Sequence, residues 1–254
     1  MSLPRIIGAL CAVYAILLGL AALVGWSIHS TLLTQVAPDL PPIQRAAALG
    51  FVLSGLAFLG ILKSKPRFIL AGSAVTAVLA AFSLLEYLFH TSFRLGEMTP
   101  EMSPATALCF IALAAGFALL EITPVPKKSP VLGMAGMLVA AVAAACGISL
   151  LWGSGDAFGL GALTRMSFPA AGAFLSLGAG AVAVALDMSQ PGLREPLWAS
   201  VGAGLFLAIV RIGLLQVFSP ERHTAVSSAL SWLGALFGAL LFGVFVHLAL
   251  KAHL

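Results

Sequence analysis

The chain has 254 residues, 61% of them hydrophobic and 9% charged, with a formal net charge of +4. A soluble globular domain carries roughly 25% charged residues, so this composition excludes a water-facing fold and assigns most of the surface to lipid. The basic residues are scattered between apolar stretches, with no basic cluster interleaved with aromatics, which also excludes a nucleic-acid partner.

Apolar runs fall at about 6–26, 43–62, 68–89, 104–120, 130–152, 167–186, 197–218 and 225–250. A span needs about 20 mostly apolar residues. Backbone polar groups cannot stay unpaired in hydrocarbon, so each run must be a helix. A β-barrel would need alternating ten-residue strands, and the runs do not alternate. The expected fold is an all-α integral membrane protein with eight transmembrane helices. No stretch between the runs reaches the size of an ordinary soluble domain, about 50 residues.

The first run follows Met1-Ser2-Leu3-Pro4-Arg5 and extends to Trp26. It is long for a signal peptide and no A-x-A site follows it, so it is read as a retained helix. The odd-numbered runs each open with a proline beside a basic residue: Pro4-Arg5, Pro66-Arg67, Lys128-Ser129-Pro130 and Arg194-Glu195-Pro196. Proline suits the first helical turn, where its missing N–H is not needed. The even-numbered runs share a second signature, in Ala48-Leu49-Gly50-Phe51, Ala107-Leu108-Cys109-Phe110 and Ala171-Gly172-Ala173-Phe174. Ser228-Ala229-Leu230-Ser231-Trp232 is a weaker fourth copy. Ser103 is placed to cap the fourth helix, with Pro104 as its first residue. The chain therefore reads as one membrane domain, 1–254, built of hairpin repeats at about 1–64, 65–127, 128–193 and 194–254.

Topology follows from Lys and Arg. One set of connections holds Arg5, Lys63, Lys65, Arg67, Lys127, Lys128, Arg194 and Lys251. The other holds Arg45, Arg94, Arg165 and Arg222, with Asp39, Glu97, Glu101, Asp156 and Glu221. The first set is expected in the cytoplasm, with both termini. The outer connections, such as Gly153–Thr164, are longer than turns such as Lys63–Arg67. Binding often lives on loops, although such loops also simply cap a bundle.

Small residues are frequent: Gly178 and Gly180 lie in the sixth run, and Gly234 and Gly238 form a GxxxG in the last. These permit close helix approach, within the chain or between copies. Cys11, Cys109 and Cys146 each sit in an apolar run without CxxC spacing, and are read as buried free thiols. Trp26, Trp152, Trp198 and Trp232 fall mostly near span ends, as interfacial anchors do.

Leu84-Leu85-Glu86-Tyr87-Leu88-Phe89, Met102-Ser103-Pro104-Ala105-Thr106-Ala107-Leu108-Cys109-Phe110 and Gly161-Ala162-Leu163-Thr164-Arg165-Met166 resemble segments of a known membrane region. It is the N-terminal multi-pass sensor region of bacterial sensor histidine kinases and diguanylate cyclases, where "LLEYL" precedes "MSPNTALCF". The resemblance is clearest from the third to the sixth run. Ala105 stands where that family has asparagine, and His90-Thr91-Ser92-Phe93-Arg94 replaces a stretch with glycine and acid. The resemblance implies a sensory input domain in the bacterial inner (cytoplasmic) membrane, a cytoplasmic signalling module and a homodimer. The sequence ends at Lys251-Ala252-His253-Leu254 without a phospho-acceptor helix or cyclase motif. It therefore reads as an excised sensor region or as a protein acting through a partner.

An ionisable residue at membrane depth is a functional hypothesis. Arg211 lies about 22 Å into the seventh run and Glu86 about 27 Å into the third, at 1.5 Å per residue. Glu86 and His90 are four apart and share a helix face, with Tyr87 adjacent. The expected ligand site is Glu86, Tyr87, His90 and Arg211, for a small or lipophilic molecule near the outer leaflet. A structural ion pair, or an arginine reaching the headgroups, is the plainer use of Arg211. His29, His90 and His223 come from different outer loop ends and offer an alternative metal set, without HxxxH or HExxH support. A bis-histidine haem would want opposed histidines inside the bilayer. A retinal Schiff base would want a deep lysine, and every lysine lies at the cytoplasmic boundary. No cofactor is assigned. Catalytic constellations are missing, so the domain is not read as an enzyme. A small-molecule transporter, or a cofactor-bearing membrane subunit, is the alternative to a sensor. Internal repeats also occur in transporters.

Overall fold

The computed structural model describes residues 2–35, 40–89, 102–152, 165–189 and 197–218. Its elements are α1 (Leu3–Ser27), α2 (Thr31–Thr34), α3 (Arg45–Leu62), α4 (Pro66–Phe89), α5 (Pro104–Ile122), α6 (Val125–Leu151), α7 (Phe168–Met188) and α8 (Leu197–Phe218). Six of the described helices are long and apolar enough to cross a membrane, the mark of a multi-pass membrane protein. The seventh run forms α8, whose apolar part, Trp198–Leu214, is shorter. The eighth run, 225–250, lies outside the described residues.

Helix starts and stops follow local chemistry. Ser103 Oγ accepts from the Thr106 N–H at 3.3 Å, with Pro104 as the first helical residue. The helix carrying Pro130 starts earlier than its proline suggests, at Val125, with Pro124 as N-cap. Pro130 then sits inside α6 as its sixth residue, past the first turn, so the helix forgoes one backbone bond there. Two helices close on a left-handed residue that is not glycine: His29 (φ 54) after α1 and Ser64 (φ 51) after α3. The next residue bonds back in each case, Ser30 N–H to Gly25 O at 2.8 Å and Lys65 N–H to Gly60 O at 2.9 Å. This is the six-to-one closure that satisfies orphan carbonyls at a helix end.

The helices form a ring. Going round it, α1, α3, α4, α5, α6 and α7 each pack on the next, and α7 returns to α1. Arg5 of α1 and Asp187 of α7 are joined at 2.9 Å across this closure. Three hairpins thus make a closed unit. The order α3–α4 and α5–α6 would seat α8 on α7. Instead α1 takes that place, and α8 packs on α6 outside the ring.

On α1 the face turned inward is chosen by size. On α1 the buried residues are Gly8, Ala12, Ala15, Gly19, Ala22 and Gly25, while Leu10, Leu17 and Val24 are exposed. Lipid tails are as apolar as leucine, so polarity cannot select a face, and small residues win the interface by allowing close approach. At the α6–α7 contact a Cβ on Gly178 would lie 2.6 Å from the Gly136 carbonyl oxygen, and one on Gly136 would lie 2.7 Å from that of Gly178. Gly180, on the other side of α7, leaves room for Cys11 and Phe58, whose atoms would lie 2.9 and 3.0 Å from a Cβ there.

The ring's centre is aromatic. Phe51, Phe110 and Phe174, one from each of α3, α5 and α7, are fully buried. Their ring centroids are 4.9, 4.7 and 4.7 Å apart, at interplanar angles of 57° to 63°. Seven residues further on, Phe58 and Phe117 stack at 5.6 Å, and the third equivalent position is Ala181. The motif shared by the even-numbered runs therefore builds one central cluster. Tilted and edge-to-face pairs of this kind contribute roughly 0.5–1.5 kcal/mol each beyond area burial.

Candidate functional site

The alternation of the helices sorts the charged residues into two ends. Arg5, Lys63, Lys65, Arg67 and Lys128 stand at the end where α1, α4 and α6 begin. His29, Arg45, Glu86, Tyr87 and Arg165 stand at or near the other.

Glu86 and Tyr87 lie in the last turn of α4, about 30 Å from its start at 1.5 Å per residue. Glu86 is half-buried and Tyr87 exposed. Arg211 is exposed on α8, about 21 Å from that helix's start. α4 packs on α3 and α5, and α8 on α6, so Glu86 and Arg211 stand on helices that are not extensive neighbours. His90 and His223 lie outside the described residues. His29 is exposed and closes α1, a structural task for that position. Among the described residues no group of three His, Cys, Asp or Glu side chains is placed to hold a metal ion.

The inward face of α4 carries hydroxyl side chains that charge spacing alone does not single out. Ser73, Thr76 and Ser83 are at most 2% exposed, and among the described residues their hydroxyls have no hydrogen-bond partner. Leaving such a group unbonded costs about 1–3 kcal/mol. Glu86 and Tyr87 follow Ser83 by three and four residues, so they continue the same face. The periodic signal was present in the sequence as hydroxyls at i, i+3 and i+10. It was hidden because Ser and Thr are also ordinary packing residues in membrane helices.

Other polar groups at this end are already used. Trp26 Nε1 donates to Ile43 O at 2.7 Å, and the Arg45 guanidinium lies 5.0 Å from the centre of the Trp26 ring. Together they tie α1 to the start of α3. An apolar groove of about 370 Å3 runs between α5, α6 and α8, lined by Gly116, Leu119, Met134, Met137, Gly202 and Leu205 among others. Trp198 lies over Gly133, so it anchors α8 to α6 as well as standing near a span end. Cys109 and Cys146 are buried free thiols, and Cys11 is a half-buried one.

No protein-family model, curated protein or solved structure matches this chain.

Proposed function

We propose that this chain is a membrane-embedded sensory input domain of the bacterial cytoplasmic membrane. In this reading it has eight spans and both termini are cytoplasmic. A small or lipophilic ligand binds near the outer leaflet at Glu86, Tyr87, His90 and Arg211, and the last helix carries the signal to a cytoplasmic module. The observation that carries the site is the hydroxyl face of α4, where Ser73, Thr76 and Ser83 are buried without partners among the described residues, on the side that continues to Glu86. A ligand that bonds these groups in one helix packing and not in another moves the equilibrium between the two.

A carrier gains less support. Five phenylalanines fill the ring's centre, and none of the described helices is broken at mid-length.

Organic extracts of purified wild type and of Ser83→Val and Glu86→Gln variants test the site. A small molecule that co-purifies with wild type and is depleted in both variants supports it; identical extracts refute it. The intact mass of the protein in its native cell tests the output. A mass well above 26.0 kDa supports a signalling module, and a mass matching the chain returns the carrier and cofactor-subunit readings to equal weight.

A further inference from the structure

We propose that a cavity at the basic end of the ring binds a phosphate-bearing ligand of headgroup size. The cavity holds about 230 Å3 and takes lining residues from all six ring helices. Its floor is apolar, with Ile69, Leu120 and Val184 no more than 3% exposed. Its rim is charged, with Arg5 from α1, Lys128 from α6 and Glu121 from α5. Asp187 holds Arg5 at that rim through its Nε at 2.9 Å.

The wider field has one sign. Among the described side chains this end carries Arg5, Lys63, Lys65, Arg67 and Lys128 against Glu121 and Asp187. A mouth flanked by excess positive charge over low-dielectric walls concentrates anions. Arginine and lysine supply the charge-assisted donors that phosphate oxygens accept. The volume falls below the range of about 300–1,000 Å3 usual for drug-sized ligands, so the occupant is of headgroup size. A ligand here touches all three hairpins at once and bears on how they close. The site stands at the opposite end from Glu86 and does not depend on the signalling reading.

A phospholipid headgroup and a free phosphate monoester share this chemistry. Purified full chain in neutral detergent, titrated calorimetrically with glycerol 3-phosphate, tests the free form. Native mass spectrometry with phosphatidylglycerol against phosphatidylcholine tests the lipid. Lys128→Gln removes a rim cation and should weaken binding of the active probe roughly fivefold. Glu121→Gln removes the opposing carboxylate and should strengthen it by a similar factor, a change that damaged folding cannot produce. Binding of glycerol 3-phosphate with both shifts assigns the soluble source. Preference for phosphatidylglycerol with both shifts, and no response to glycerol 3-phosphate, assigns the lipid. Failure of both probes to bind, or affinities unmoved by both substitutions, overturns the proposal.

Discussion

Arg5 and Asp187 lie 182 positions apart, and the arginine Nε donates to the aspartate Oδ2 at 2.9 Å. The pair bridges α1 and α7, where the ring of three hairpins closes. Arg5 is 50% exposed and Asp187 19%. Exposed pairs contribute roughly 0–1 kcal/mol, because water screens the attraction and ordering two side chains costs entropy. Asp187→Asn should therefore lower unfolding free energy in detergent by no more than about 1 kcal/mol, with less effect at high salt. A much larger loss would mean that the pair, rather than the α1–α7 packing beneath it, holds the ring shut.

The aromatic centre should behave differently. Phe110 is fully buried and its ring meets those of both Phe51 and Phe174. Phe110→Ala should cost about 3–5 kcal/mol, the usual range for truncating a buried phenylalanine. Combined with Phe174→Ala, it should show a coupling of roughly 0.5–1.5 kcal/mol. Additive losses in the double-mutant cycle would show that the rings do not act as a unit.

Glycines of the α6–α7 interface differ in what they allow. A Cβ at Gly178 would lie 2.6 Å from the Gly136 carbonyl, while one at Gly147 would meet only Ala171 at 3.5 Å. Gly178→Ala should lower the melting temperature, since backbone must move. Gly147→Ala should leave it unchanged or raise it, because alanine is favoured over glycine by up to about 1 kcal/mol within a helix. Equal melting shifts for the two variants would contradict the close packing.

His29 occupies a left-handed position, φ 54, at the end of α1. A side chain there costs about 1–2 kcal/mol, which glycine avoids. His29→Gly should raise thermal stability, and Ser64→Gly, at φ 51, should do the same. If His29→Gly destabilises the protein instead, the imidazole has a role that closing the helix does not supply.

Much of the helix inventory was legible in the chain. Seven of the expected runs match described helices, because hydrocarbon forces an apolar run of span length to satisfy its own backbone. Ser103 as a cap was readable for the same local reason. The recurring phenylalanine marked equivalent places in α3, α5 and α7, and those three rings meet at the ring's centre. The start of α6 lies upstream of Pro130 because Pro126 already takes the first-turn position that suits a proline, and the helix runs on through Pro130.

The candidate site was only partly legible. Glu86 and Arg211 stood out as charges within apolar runs, but whether two helices adjoin is not written in either of them. The hydroxyls of Ser73, Thr76 and Ser83 became distinctive only when burial left them unpartnered.

Long apolar helices with basic residues gathered at alternate ends are dictated locally, since backbone and charge answer to the solvent one residue at a time. The closing of three hairpins into a ring, with α8 outside it, is set by packing between helices. In a chain apolar on every face, polarity cannot choose neighbours. That choice falls to the fit of small residues such as Gly136 against Gly178, which exists only between assembled helices.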